Sequence, residues 1–251
     1  MKYLKLIFLY FLVCFSAMSS SNACRTEKMD RETALRTMKL YGRVMEYLEE
    51  NSVEMAFIGR KGLENKYVEY THMGILWKDG NDWKVTDLLQ PCEGKNPVLY
   101  DEGVAEFFMY SKVSTVKLLI PSGKTQSEIK EIFQNKEADM FLGEKYNLIS
   151  NVWEVKYQNC TQYILEVYSY LKSGKQFTTR EEAVRWYREN GYKPEKLNVS
   201  VVIRNIARMH KHVALDDRKN GKNLEISTVD ANFDFIKRFE PNAVEKVFTG
   251  E

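Results

Sequence analysis

Histidine is scarce in this 251-residue sequence, which holds only His72, His210 and His212, and cysteine is nearly as rare, at Cys14, Cys24, Cys92 and Cys160. Five prolines, 13 glycines and no low-complexity tract exclude a collagen-like or disordered chain, and four cysteines are too few for a disulfide-dense miniprotein. Excess charge is missing too: 37 basic against 35 acidic residues give a formal charge of +2. Without a positive surplus there is no electrostatic footprint for nucleic acid. What the chain does have, 44% hydrophobic and 13% aromatic side chains, is the composition of a globular domain.

The first 23 residues read as a secretory signal peptide. Lys2 and Lys5 form a positive start, Leu6 to Phe15 a short apolar core, and Ser21-Asn22-Ala23 a small-residue cleavage site. The apolar run is too short for a membrane span, so no stable span is expected after cleavage. Removal would leave residues 24–251 in the periplasm or outside the cell, near zero net charge, as one domain without internal repeat or linker. Acylation of Cys24, as in a lipoprotein, is the weaker alternative, since Ser21 stands where such signals usually carry Leu.

Export changes what the cysteines mean. Cys24, Cys92 and Cys160 would remain, an odd number in an oxidising compartment, so within one chain at least one stays unpaired. Cys24 and Cys92 lie in turn-like surroundings and are the better candidates for a disulfide, although spacing does not fix connectivity.

Apolar residues at spacings of three and four predict a helix over Glu32 to Glu50, through Ala34, Leu35, Met38, Tyr41, Met45 and Leu48. Strands are expected at Met55 to Gly59, at Tyr67 to Trp77, at Trp83 to Leu89 and at Ser114 to Ile120. Helices are expected at Thr125 to Asn135, Thr161 to Leu171, Thr179 to Asn190 and Val201 to His212, with a late strand at Leu224 to Val229. Thr179-Arg180-Glu181-Glu182 has the form of a capping box. This order has no evenly repeated strand–helix unit, so the expected fold class is α+β, an antiparallel sheet packed against helices.

Two places carry chemistry. Asn159-Cys160-Thr161-Gln162 opens a helix with Asn159 at the N-cap and Gln162 at the reciprocal position, which puts Cys160 in the first turn. Unpaired N–H groups and the helix dipole there favour a thiolate, though a structural cysteine or a disulfide partner also fits such a position. The second place is His72, in a strand whose Val68, Tyr70, Gly74 and Leu76 share its face. A two-residue turn at Asp79-Gly80 pairs His72 with Asp87, which could orient the imidazole; a turn at Gly80-Asn81 pairs it with Leu89 instead. The His210-Lys211-His212 cluster with Asp216 and Asp217 lacks zinc spacing, so neither a metal nor a cofactor is expected.

Arg60-Lys61-Gly62, Tyr70-Thr71-His72-Met73-Gly74, Pro91-Cys92, Glu106-Phe107-Phe108, Tyr157 to Glu166 and Trp186 to Pro194 resemble, in this order, the landmarks of a bacterial family catalogued as domain of unknown function 2145. That family in turn resembles permuted papain-like proteins, among them NlpC-type cell-wall peptidases and lecithin retinol acyltransferase, in which histidine precedes cysteine. The resemblance implies a permuted papain-like fold with His72 as base and Cys160 as nucleophile. The chain departs from the family pattern in carrying Asp87 where a His is usual, so the third position is open, although a carboxylate is chemically adequate.

These readings converge on an exported thiol hydrolase or acyltransferase, with Gln158 and Asn159 lining its cleft and a cell-wall peptide or envelope lipid as substrate. The alternative is a non-catalytic periplasmic binding protein that keeps the papain-like shell.

Overall fold

The computed structural model describes residues 30–61, 68–91, 96–109, 115–198, 213–218 and 223–250. The signal segment, Cys24, Cys92, the expected helix at 201–212 and its two histidines lie outside them. The elements run α1 (Arg31–Glu50), β1 (Met55–Arg60), β2 (His72–Asp79), β3 (Asp82–Leu89), β4 (Val98–Gly103), α2 (Val104–Met109), β5 (Thr115–Ile120) and α3 (Gly123–Gln134). A 3-10 turn (Glu137–Phe141) follows, then α4 (Cys160–Lys172), α5 (Arg180–Glu189), β6 (Glu195–Asn198), β7 (Asn223–Ile226), α6 (Val229–Phe239) and β8 (Val244–Thr249).

Six strands form one antiparallel sheet in the order β4-β3-β2-β1-β5-β8, and β6 and β7 form a separate pair. Alternation along the strands sends side chains to opposite faces, and helices cover both. On one face Met55, Phe57, Met73, Ile75, Trp77, Leu88 and Leu119 pack with apolar residues of α3, α4, α5 and α6. On the other, Ala56, Ile58, Leu76, Val85, Val116 and Leu118 meet Leu40, Val44 and Leu48 of α1 and Val104, Phe107 and Phe108 of α2. The mixed α/β class and the antiparallel sheet packed with helices are as expected.

Three local expectations change. The second strand starts at His72, five residues later than predicted, because the Thr71 N–H closes onto the Arg60 carbonyl and Tyr70 turns into the core. The late strand ends at Ile226, because Thr228 caps α6 through a bond from the Ala231 N–H. The turn between β2 and β3 is the later one: Asp79 pairs with Asp82 across Gly80-Asn81, with Gly80 at φ 63°, which places Gly74, not His72, opposite Asp87. The capping box at Thr179 forms as predicted, with Glu182 reaching back to the Thr179 N–H.

Candidate functional site

Helix α4 begins at Cys160 because Asn159 caps it: the Asn159 side chain accepts from the Gln162 N–H at 2.8 Å. The reciprocal half of that cap does not form. Gln162 instead accepts from Ser150 Oγ at 2.8 Å and donates to the Glu154 carbonyl at 3.1 Å. Cys160 therefore sits at the first helical position with a free thiol, 4% exposed. Its sulfur lies beside the His72 side chain, the Met73 backbone N–H and the Tyr146 hydroxyl, close enough for each to act on its ionisation.

His72 opens β2, and its Nε2 bonds to Oδ2 of Asp87 in a short contact. The contact forms although the two residues are not directly opposed, because Asp87 stands across from Gly74 and leans diagonally. Gly74 makes room for it: a Cβ there would lie 2.8 Å from Val85 Cγ1 and 3.1 Å from Asp87 Cβ. A thiol, an imidazole and a carboxylate thus stand in series, brought from α4, β2 and β3.

Burial governs the electrostatics. It pushes the Asp87 carboxyl up to about 7, against the pull of the nearby Arg60 charge. Burial also draws the His72 imidazole below its ordinary value, opposed by the Cys160 sulfur. For Cys160 burial would raise the pKa, but the imidazole charge, the Met73 N–H and the Tyr146 hydroxyl together bring it below the ordinary thiol value. Tyr146 is held well above its ordinary value by burial and by the neighbouring sulfur, so its hydroxyl stays a donor.

Gln158 and Asn159, expected to line a cleft, have their polar atoms engaged inside the protein. Gln158 accepts from the Gly143 N–H at 2.8 Å and donates to the Phe141 carbonyl and to Glu166 Oε2 at 2.8 and 2.6 Å. Asn159 Nδ2 donates to the Leu148 carbonyl at 3.2 Å. Both fix the approach to Cys160.

The same approach is clamped from α5. Arg180 meets Glu166 through two bonds of 2.9 and 3.0 Å and donates to the Val155 and Tyr157 carbonyls at 2.6 and 3.0 Å. From α6, the buried Asn232 donates to the Thr161 carbonyl at 2.8 Å and to Met73 Sδ at 3.3 Å, tying α4 to β2. Sequence reasoning assigned no role to Tyr146, Glu166, Arg180 or Asn232. Glu166 carried a signal: a carboxylate within the apolar run of α4, nearly all of which is buried, requires a partner. Tyr146 carried none, since it reaches the site through a lone bridge between residues 146 and 158.

Asp216 and Asp217, weighed as metal-capable, are engaged otherwise. Asp216 binds Lys156 at 2.7 Å and the Tyr157 hydroxyl at 2.9 Å, and Asp217 takes the Asn151 N–H at 2.8 Å. Among the described residues no group of three His, Cys, Asp or Glu side chains is disposed to hold a metal ion, and no helix is long and apolar enough to cross a membrane.

Fold and site together define a mixed α/β protein in which a helix-start thiol meets an imidazole–carboxylate pair at the end of an antiparallel sheet. The family described as uncharacterized protein conserved in bacteria (DUF2145) matches residues 47–236, and the chain belongs to it. No curated protein and no solved structure matches the chain.

Proposed function

We propose that this protein is an exported thiol hydrolase or acyltransferase, a permuted papain-like relative of the NlpC type, acting on a cell-wall peptide or an envelope lipid. The observation that carries the reading is the series Cys160–His72–Asp87, in which the thiol is drawn below its ordinary pKa by the imidazole beside it. The Cys160 thiolate attacks an amide, ester or thioester carbonyl, and the electron pair of the C=O moves onto oxygen. The tetrahedral oxyanion is met by the Tyr146 hydroxyl, which lies beside the Cys160 sulfur, and by the Cys160 N–H at the start of α4. Collapse expels the leaving group, which takes the His72 proton, and leaves an acyl-thioester on Cys160. His72 then deprotonates a water or an acceptor alcohol or amine; its attack releases the acyl product and restores the thiol. Asp87 accepts the Nε2–H and stabilises the imidazolium throughout.

The test is the pH dependence of Cys160 alkylation in the purified mature protein, with a hydrolysis screen of muropeptides and phospholipids by wild type and Cys160→Ser. The reading expects alkylation well below the ordinary thiol pKa of about 8.5 and activity lost in the serine variant. A thiol that reacts only above that pH would overturn it. The binding-protein alternative draws on one observation: Cys160, His72 and Asp87 are all buried. It expects a bound peptide or lipid that survives the Cys160→Ser change with no turnover in either protein.

A further inference from the structure

Arg60, at the end of β1, is 2% exposed and is the Cα partner of His72 across the β1–β2 ladder. Its guanidinium lies 4.3 Å from the centre of the Phe107 ring and donates through Nη1 to the Phe107 carbonyl. The Phe107 ring in turn lies 5.9 Å from the His72 ring, centre to centre. Arg60, Phe107, His72 and Asp87 therefore share the α2 side of the sheet, and the mechanism above uses Arg60 for nothing.

A buried cation beside a catalytic imidazole needs a reason, since it repels the imidazolium. The carboxylate supplies one. Asp87 is fully buried and its Oδ1 has no hydrogen-bond partner, so a nearby positive charge is what favours its ionised form against the cost of burial. We infer that Arg60 is a positioning residue for the thiol chemistry: from the α2 side of the sheet it favours the carboxylate form of Asp87, which orients His72, and so sets the pH at which Cys160 becomes a thiolate. This rests on the thiol-enzyme reading.

Among the described residues, the groups whose charges act on Arg60 are His72 from β2, Asp87 from β3, Glu102 from β4, Tyr146 from the loop before α4 and Cys160, and Asp101 of β4 acts on Asp87. Arg60 attracts both Asp87 and the Cys160 sulfur and opposes the protonation of His72. Removing it weakens the thiolate twice, by direct loss of attraction and by protonation of Asp87, and favours it once, by relief of the imidazolium. The two losses outweigh the gain because a protonated Asp87 no longer stabilises the imidazolium at all. Glu102 acts in the opposite sense, as a negative charge that partly cancels Arg60.

The experiment measures the midpoint pH of Cys160 alkylation by iodoacetamide in wild type, Arg60→Gln, Arg60→Lys and Glu102→Gln, with circular dichroism to establish folding. The glutamine at 60 is expected to raise the midpoint by about one unit or more, and the lysine, which keeps the charge, by less. The Glu102→Gln change is expected to lower it. A folded Arg60→Gln protein with the wild-type midpoint overturns the inference. If that variant does not fold, a Glu102→Gln midpoint that is unchanged or raised overturns it instead. Failure of the enzymatic reading looks different: the wild-type midpoint itself then lies at the ordinary thiol value.

Discussion

Replacing Asp87 by Asn should make this protein more stable and less reactive, by amounts that depend on pH in a way the buried carboxyl dictates. In the folded protein that carboxyl titrates at about 7, against 3.8 for an ordinary aspartate, because burial penalises its charged form. A raised acid binds its proton more tightly in the native state than in the unfolded chain. The stability it contributes is present in full below the unfolded value and is lost as pH rises through about 7. At about 1.4 kcal/mol per pKa unit, the loss is on the order of 4 kcal/mol, less whatever its coupling to His72 returns. Asparagine has the same shape and no proton to lose. Urea unfolding from pH 5 to 8 should therefore show the two proteins diverging in favour of Asp87→Asn as pH rises. His72, whose lowered pKa costs stability as pH falls, is present in both and does not create that divergence. The amide oxygen can still accept the Nε2–H, so the ring keeps its orientation and the loss is of charge. With the imidazolium less stabilised, the Cys160 alkylation midpoint should rise, and the rate at pH 7 should fall roughly 10-fold or more. Stability curves that stay parallel across this range, or an unchanged alkylation rate, would refute the placement of a carboxylate charge behind His72.

Gly74→Ala should act on the same pair through space, since its Cβ would meet Val85 Cγ1 at 2.8 Å and the Thr86 carbonyl at 3.1 Å. A loss of roughly 1–3 kcal/mol in urea unfolding, with a raised alkylation midpoint, is expected. Tyr146→Phe keeps the ring and removes the oxyanion donor; once a substrate is found, kcat should fall about 10²–10³-fold with KM little changed. Arg180→Met strands Glu166 in the core without its two-bond partner and should cost about 3–5 kcal/mol by the same unfolding measurement, with faster proteolysis near residues 155–158. Glu240, lowered to about 2 despite burial because Lys172, Thr125 and Ser122 bond to it, contributes stability that is present above about 4.5 and lost as pH falls toward 2. Acid unfolding of Glu240→Gln should lack that component.

How far the site was legible from the chain alone turns on the β2–β3 hairpin. Turns at Asp79-Gly80 and at Gly80-Asn81 differ by two residues in pairing, and a shift of two leaves every side chain on its original face. The apolar alternation that normally fixes register, here Leu76 and Val85 on one side and Ile75 and Leu88 on the other, is therefore silent between them. The chain adopts the second register, yet His72 and Asp87 still meet, because the residue opposite Asp87 is a glycine and the carboxylate can lean across the space. The helix start at Cys160 was readable for the opposite reason: an Asn cap acts within three residues and needs no tertiary partner. Short range also explains the Thr179 capping box. What local pattern could not reveal was anything set by the far end of the chain. Strand β8 is exposed at most of its positions, so its sequence lacks the alternation of a half-buried strand, and it is held by its pairing with β5. Tyr146 reaches Cys160 only after residues 145–147 have bonded to Gln158, and Gln158 is itself held by Glu166 and Gly143. The nucleophile was visible because helix capping is local, whereas the groups that tune it, Tyr146, Arg60 and Asn232, come from three other segments. Their roles exist only once the sheet and its two helical layers are assembled around Cys160.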